Sequence, residues 1–197
     1  LRRVVEFLNG QMDPAEVLAI EIRQYVGQNL KTLVPRVVGQ TANAEQKKTA
    51  GDADIRQWDE DGFFQELTAR KGDEAAHVAR QILDWAKAHG LRIWFGKGKK
   101  DGSFFPLLDY KGTTYWLMAV WTYGRVDIQF QYMAGPFATD AGRLAVLQRL
   151  NAIPGLTLAA NTITRRPSIP LQTLAEPSRI QQFLAVFDWM ISEIKAT

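Results

Sequence analysis

The turn GKGKKDG, residues 96–102, places Lys97, Lys99 and Lys100 within four residues. Lysines on a glycine-rich turn are mobile point charges that suit phosphate oxygens. The same run also makes a solvated hairpin turn that its charge keeps soluble. It is no nucleotide-binding P-loop: the GxxxxGK spacing is missing, and a strand follows where that motif needs a helix. Trp94, Trp116 and Trp121, half of the six tryptophans, lie on either side of it. Exposed indoles stack on bases or other rings, whereas buried ones are core. Trp116 and Trp121 sit in a strand apolar on both faces and are expected in the core. Trp94, two residues after Arg92, is the candidate for exposure. Arg165-Arg166 is a second basic spot, which joins the turn only if the fold brings them together.

Other constellations point less far. His77 and His89 lie twelve residues apart on one predicted helix, too far for joint metal ligation. His89, just before Gly90, suits the negative end of a helix dipole. Asp52, Asp54, Asp59, Glu60 and Asp61 surround Trp58. Paired acids of this kind hold Mg²⁺, but acids also collect at helix N-termini. Asp13 with Glu21 and Arg23 outlines the Asp…Glu-x-Lys pattern of a metal-dependent nuclease, with arginine in the lysine place. Arginine stays protonated and does not replace that lysine freely. The chain has no cysteine, hence no thiolate metal site and no cysteine nucleophile. No catalytic residue, metal ligand or cofactor is assigned. A small-molecule enzyme would need convergent polar groups drawn from Arg92, Asp109, Tyr123, Arg125 and Asp127.

The elements that carry these residues read as α+β. Residues 91–133 predict a four-stranded antiparallel meander with hairpin turns at Lys111-Gly112 and Tyr123-Gly124. Along it, Tyr115, Leu117, Ala119 and Trp121 are expected on one face, and Trp116, Met118 and Val120 on the other. Val126, Ile128, Phe130 and Tyr132 alternate with Arg125, Asp127, Gln129 and Gln131, which predicts one core face and one wet face. Helices flank the meander. Phe63, Phe64 and Leu67 stripe a short one, and Asp73 to His89 a longer one ended by Gly90. A third, capped by Thr139, is expected to bury Leu144, Leu147 and Leu150. The last, with Ser178 as its cap, carries the stripe Ile180, Phe183, Leu184, Phe187, Ile191 and Ile194. Leu156–Ala160 and Thr162–Thr164 are expected as short strands, and RRPSIPL as extended chain.

Residues 1–38 predict a helix and two strands, the second holding Pro35 and therefore lying at an edge or bulge. This is too little to bury a core of its own. The segment is expected to be the terminal elements of an otherwise absent α/β domain, and a chain opening on Leu1 is expected to be a fragment. Residues 39–57 predict a linker and residues 58–197 an α+β C-terminal domain.

At 197 residues and a net charge of +3 the chain is mildly basic, which admits a polyanionic partner without requiring one. No apolar run approaches the roughly 20 residues a membrane span needs. A cytoplasmic protein without a membrane partner is expected.

The opening RVVEFLNGQMDPAEVLAIEIRQY with LKTLVPRVVGQT, and then FGKGKKDGSFFP, YWLMAVWTYGRVDIQFQYM, RLN and RPSIPL, resemble a group of uncharacterised bacterial proteins. In these a PD-(D/E)XK nuclease-like N-terminal half precedes a C-terminal domain of unknown function. The resemblance implies that the nuclease metal ligands lie upstream of Leu1, so none is carried onto a position here. It implies a non-catalytic accessory domain. The basic turn adds a nucleic-acid reading, DNA or RNA, through Lys97, Lys99, Lys100, Arg92, Trp94, Arg165 and Arg166. Assembly with itself or with the nuclease-like half is the structural alternative.

Overall fold

The computed structural model describes residues 4, 5, 8, 19–27, 30–38 and 55–197. The chain divides into two units, Leu1–Ile55 and Arg56–Thr197. In the first, Val4, Val5 and Leu8 are helical, and β1 (Ala19–Gly27) pairs antiparallel with β2 (Leu30–Val38). Pro35 lies opposite Ile22 in a two-stranded ribbon, where every strand is an edge and a missing N–H is tolerated. Most of the expected linker, with Asp52 and Asp54, lies outside the described residues, as does Asp13 of the N-terminal segment.

The second unit is α+β, with three helices and an antiparallel sheet. It opens with β3 (Arg56–Gln57), which pairs with β5 (Lys97–Gly98). Between them run α1 (Glu60–Ala88) and β4 (Arg92–Phe95). Asp59 caps α1, its carboxylate accepting from the Gly62 N–H at 2.8 Å. Gly72, at φ 81°, breaks α1 into two helical segments, so the short and long helices read from the sequence abut directly. The sheet continues with β6 (Ser103–Tyr110), β7 (Thr113–Trp116), β8 (Met118–Trp121) and β9 (Arg125–Ile128). β10 (Ser168–Pro170) adds antiparallel to β9, giving the order β10-β9-β8-β6-β4, with β7 also on β6.

α2 (Asp140–Asn151) and α3 (Pro177–Ala196) complete the unit. One sheet face packs on the helices: Phe104, Leu108, Met118, Val120, Val126, Ile128 and Ile169 share a core with Phe63, Leu67, Ile82, Leu83, Phe183 and Phe187. Several details differ from expectation. Ala160–Thr164 is a 3₁₀ turn, not a strand, closed by Thr162 and Arg165 N–H groups donating to carbonyls three residues back. α3 begins with Glu176 at the cap position and Pro177 in its first turn, and Ser178 only donates to the Glu176 carboxylate. Leu144 is exposed, and Val146 takes the inward position beside Leu147 and Leu150.

The register of the sheet holds the largest difference. Leu107 lies opposite Trp116, but Ser103 lies opposite Trp121. The partner strand therefore carries one extra residue, a β-bulge at Leu117, and both Leu117 and Met118 turn into the core. Pro106, with no N–H to donate, falls in the gap between the two ladders. The bulge inverts the alternation, so Trp116 and Trp121 share a face instead of opposing each other. That face is turned away from the helices.

Phe63 is fully buried and meets Phe64, Phe95 and Phe104 edge-on with centroids 5.1–6.2 Å apart. Phe63→Ala should cost about 3–5 kcal/mol in urea unfolding, the range for removing a core aromatic.

Candidate binding surface

β4, β6, β7 and β8, the turn before β9 and a 3₁₀ turn after it (Phe130–Tyr132, where the sequence predicted continued strand) place six rings on the face opposite the helices: Trp94, Phe105, Trp116, Trp121, Tyr123 and Tyr132. None belongs to the helix-facing core. They touch in series. Trp94 lies 5.1 Å from Phe105 and 5.8 Å from Trp116. Phe105 reaches Trp116 at 5.4 Å and Trp121 at 6.2 Å. Trp121 stacks on Tyr123 at 5.3 Å with an interplanar angle of 20°. Trp116 meets Tyr132 at 6.2 Å. Trp94 is 42% exposed and Tyr132 51%, while the other four are half-buried by one another. The expectation that Trp116 and Trp121 are helix-packed core is corrected here, because the bulge turns both outward.

Arg92 and Asp109 close one end of the row. The guanidinium donates through Nε to Oδ2 at 2.7 Å and through Nη2 to Oδ1 at 2.9 Å, and Thr114 Oγ1 donates to Oδ1 at 2.6 Å. These bonds, the Arg92 one foremost, hold the Asp109 carboxyl at about 2. Arg92 is thus on the same face as Trp94, but its charge is matched.

At the other end the expected wet face, Arg125 to Gln131, is covered except at Gln131, which is exposed. Asp127 is 8% exposed and Gln129 1%. Asp127 Oδ2 accepts from the Trp121 indole N–H at 2.9 Å, which places the carboxylate beside the ring row. Arg125 donates to the Ser168 hydroxyl and carbonyl, both at 2.7 Å, and so ties β9 to β10. Burial, followed by the Asp127 and Asp101 carboxylates, pushes the Tyr123 phenol up to about 12, with Arg125 and Arg166 opposing. Arg166 and Asp101 of the basic turn therefore both lie within electrostatic reach of Tyr123. Arg165 and Arg166 are exposed beyond the 3₁₀ turn.

The basic turn folds back over Trp58. The Trp58 indole N–H donates to the Gly98 carbonyl at 3.2 Å, and Arg56 stacks over the ring at 3.5 Å. Gly102 abuts the ring so closely that a Cβ there would sit 2.5 Å from it. Arg70 latches the turn, pairing with Asp101 at 2.7 Å and donating to the Lys100 carbonyl at 3.4 Å. Lys97, Lys99 and Lys100 are exposed. With Arg56, Trp58, Glu66 and Arg70, Lys99 and Lys100 line a cleft of about 440 Å³. The sequence reading missed Arg56 and Arg70, because only the β3–β5 pairing and the turn's fold-back bring them to the lysines.

The remaining candidates have structural partners. Glu60 binds Arg80 and Lys87 (2.8 Å to Lys87), and the Lys87 bond leads in lowering its pKa. His89 faces Asp188 at 3.0 Å and the Trp85 carbonyl. His77 bonds Gln81. Glu21 pairs with Arg23 on β1. Among the described residues no group of three or more His, Asp or Glu is placed to hold a metal ion. No described helix is long and apolar enough to cross a membrane. No protein-family model, curated protein or solved structure matches the chain.

Two measurements check this geometry. Gly102→Ala should lower stability by about 1–3 kcal/mol, the cost of overpacking, and alter tryptophan emission as Trp58 is displaced. The Asp109 titration sets a pH dependence. An unfolded aspartate titrates near about 3.9, so the Arg92–Asp109 contribution is present above that pH and is lost as pH falls toward about 2. Arg92→Ala should raise the midpoint of the Asp109 titration toward the ordinary aspartate range, followed through its carboxyl resonance in carbon-detected NMR.

Proposed function

We propose that the Arg56–Thr197 unit is a non-catalytic accessory module that binds single-stranded nucleic acid, in the setting of a nuclease-like bacterial protein. The observation that carries the binding reading is the row of six touching rings on a sheet face that no helix of the unit covers. Every base has a π face, so such a row accepts successive unpaired bases with little sequence preference. A duplex hides those faces. Lys97, Lys99 and Lys100 supply phosphate contacts, with Arg165 and Arg166 beyond the Tyr123 end. Arg92 contributes less because Asp109 already neutralises it. The association with a nuclease-like half rests on the sequence resemblance.

Fluorescence anisotropy with a labelled single-stranded oligonucleotide tests the reading. Trp94→Ala should weaken binding by about 1–3 kcal/mol, the value of one base–aromatic stack. Alanine at Lys97, Lys99 and Lys100 together should flatten the salt dependence by up to about two to three ion equivalents. A duplex of the same sequence should bind more weakly. Absence of saturable binding, or binding indifferent to Trp94, defeats the proposal.

The same aromatic face also supports assembly, since a contiguous exposed apolar patch is a common protein-contact surface. Light scattering separates the two: a concentration-dependent dimer abolished by Trp94→Ala, without oligonucleotide binding, selects assembly.

A further inference from the structure

We propose that β1 is a pairing edge for a second copy of this chain, joining two ribbons into one antiparallel sheet of order β2-β1-β1-β2 across a two-fold axis. Among the described residues β1 pairs with β2 alone, so its other edge presents backbone N–H and C=O groups without a strand partner. Edges of this kind are ordinarily blunted by proline, lysine or a bulge. β1 has none of these: AIEIRQYVG holds no proline or lysine, and its register with β2 runs unbroken over all nine residues. Ile20, Ile22 and Tyr25 are exposed, Ile22 at 62%. A two-stranded ribbon is marginal by itself, and further strands stabilise it. Joining two ribbons at β1 supplies those strands. This surface shares no residue with the ring row or the basic turn.

The occupant is a second copy because β1 is complementary to itself. Antiparallel pairing about a two-fold axis at Ile22 sets Ile22 against its counterpart, with Glu21 opposite Arg23 on either side of it. Ile20 then faces Gln24, and Ala19 faces Tyr25. The adjacent registers that keep every side chain on its face centre on Glu21 or on Arg23. Each of these sets like charges directly opposite, which is destabilising. Within one copy Glu21 and Arg23 already share a face, 3.5 Å apart and partly exposed. Such a pair contributes little to stability, so exchanging it for two cross-strand pairs costs little and selects the register. β2 has no such self-match, because its two charged residues are both basic.

Light scattering on the intact chain over a range of concentrations tests the inference. The native chain should form a concentration-dependent dimer. Glu21→Arg and Arg23→Glu each set two like-charge pairs across the two-fold axis, and each should weaken dimerisation about tenfold, the scale of two cross-strand pairs. An equimolar mixture of the two variants restores both opposite-charge pairs. It should regain the dimer at a concentration where each variant alone is monomeric, a rescue that a misfolded variant could not give. Trp94→Ala should leave this dimer intact, which separates it from assembly through the ring row. A native chain that stays monomeric at high concentration overturns the inference and leaves the edge to a strand of another protein. A dimer indifferent to both reversals, or one abolished by Trp94→Ala, belongs to another surface and overturns it too, as does a mixture that stays monomeric.

Discussion

The outward face of this sheet depends on one extra residue. In a pleated strand the side chains of i and i+5 point to opposite faces, so Trp116 and Trp121 would be separated by the sheet in an uninterrupted strand. Leu117 supplies the additional residue between the ladders to Leu107–Tyr110 and to Ser103–Phe104. Pro106 stands opposite that break, where a regular ladder would want a donor it lacks. The apolar Leu117 and Met118 both turn inward and are fully buried, which stabilises the bulge through the core. With the bulge in place the six rings become neighbours; without it, one of Trp116 and Trp121 would be turned to the side already filled by helices.

The ring row is held from beneath and at its edges by polar contacts that the surface would not otherwise need. Asp127 takes the Trp121 indole N–H, and Arg125 clamps β10 through Ser168. A carboxylate with so little exposure carries a desolvation cost, and its second oxygen has no hydrogen-bond partner among the described residues, as is true of the Gln129 side-chain nitrogen. At the far end Arg92, Asp109 and Thr114 form a closed set across three strands. These groups set the strand order around the rings more than they add charge to the surface.

Trp58 has the corresponding role for the basic turn. A glycine-rich turn with three lysines would ordinarily fray, since it holds no apolar side chain and repels itself. Here Gly98 and Gly102 allow the backbone to approach the indole closely, and Arg70 bridges α1 to the turn. The backbone of the turn is fixed in place while Lys97, Lys99 and Lys100 are exposed.

Much of the local structure was legible in the sequence because it is set by short-range effects. Thr139 caps its helix, Gly90 follows the end of α1, and of the apolar stripe Ile180, Phe183, Phe187, Ile191 and Ile194 are buried, joined by Val186 and Met190, while Leu184 is only partly buried. The antiparallel strands and their turns follow from alternation and from glycines at positive φ, Gly112 and Gly124. What composition and spacing could not decide was which face each strand turns to water. Alternation counts residues, and it fails wherever pairing inserts one, as at Leu117. Only the cross-strand register brings Trp94, Phe105, Trp116 and Trp121 together from four strands. Only the fold-back onto Trp58 brings Arg56 and Arg70, distant in the chain, to Lys99 and Lys100. The residue types were determined by the sequence; their convergence was decided by long-range pairing, because the energy that selects a register comes from the packed core and not from the strand itself.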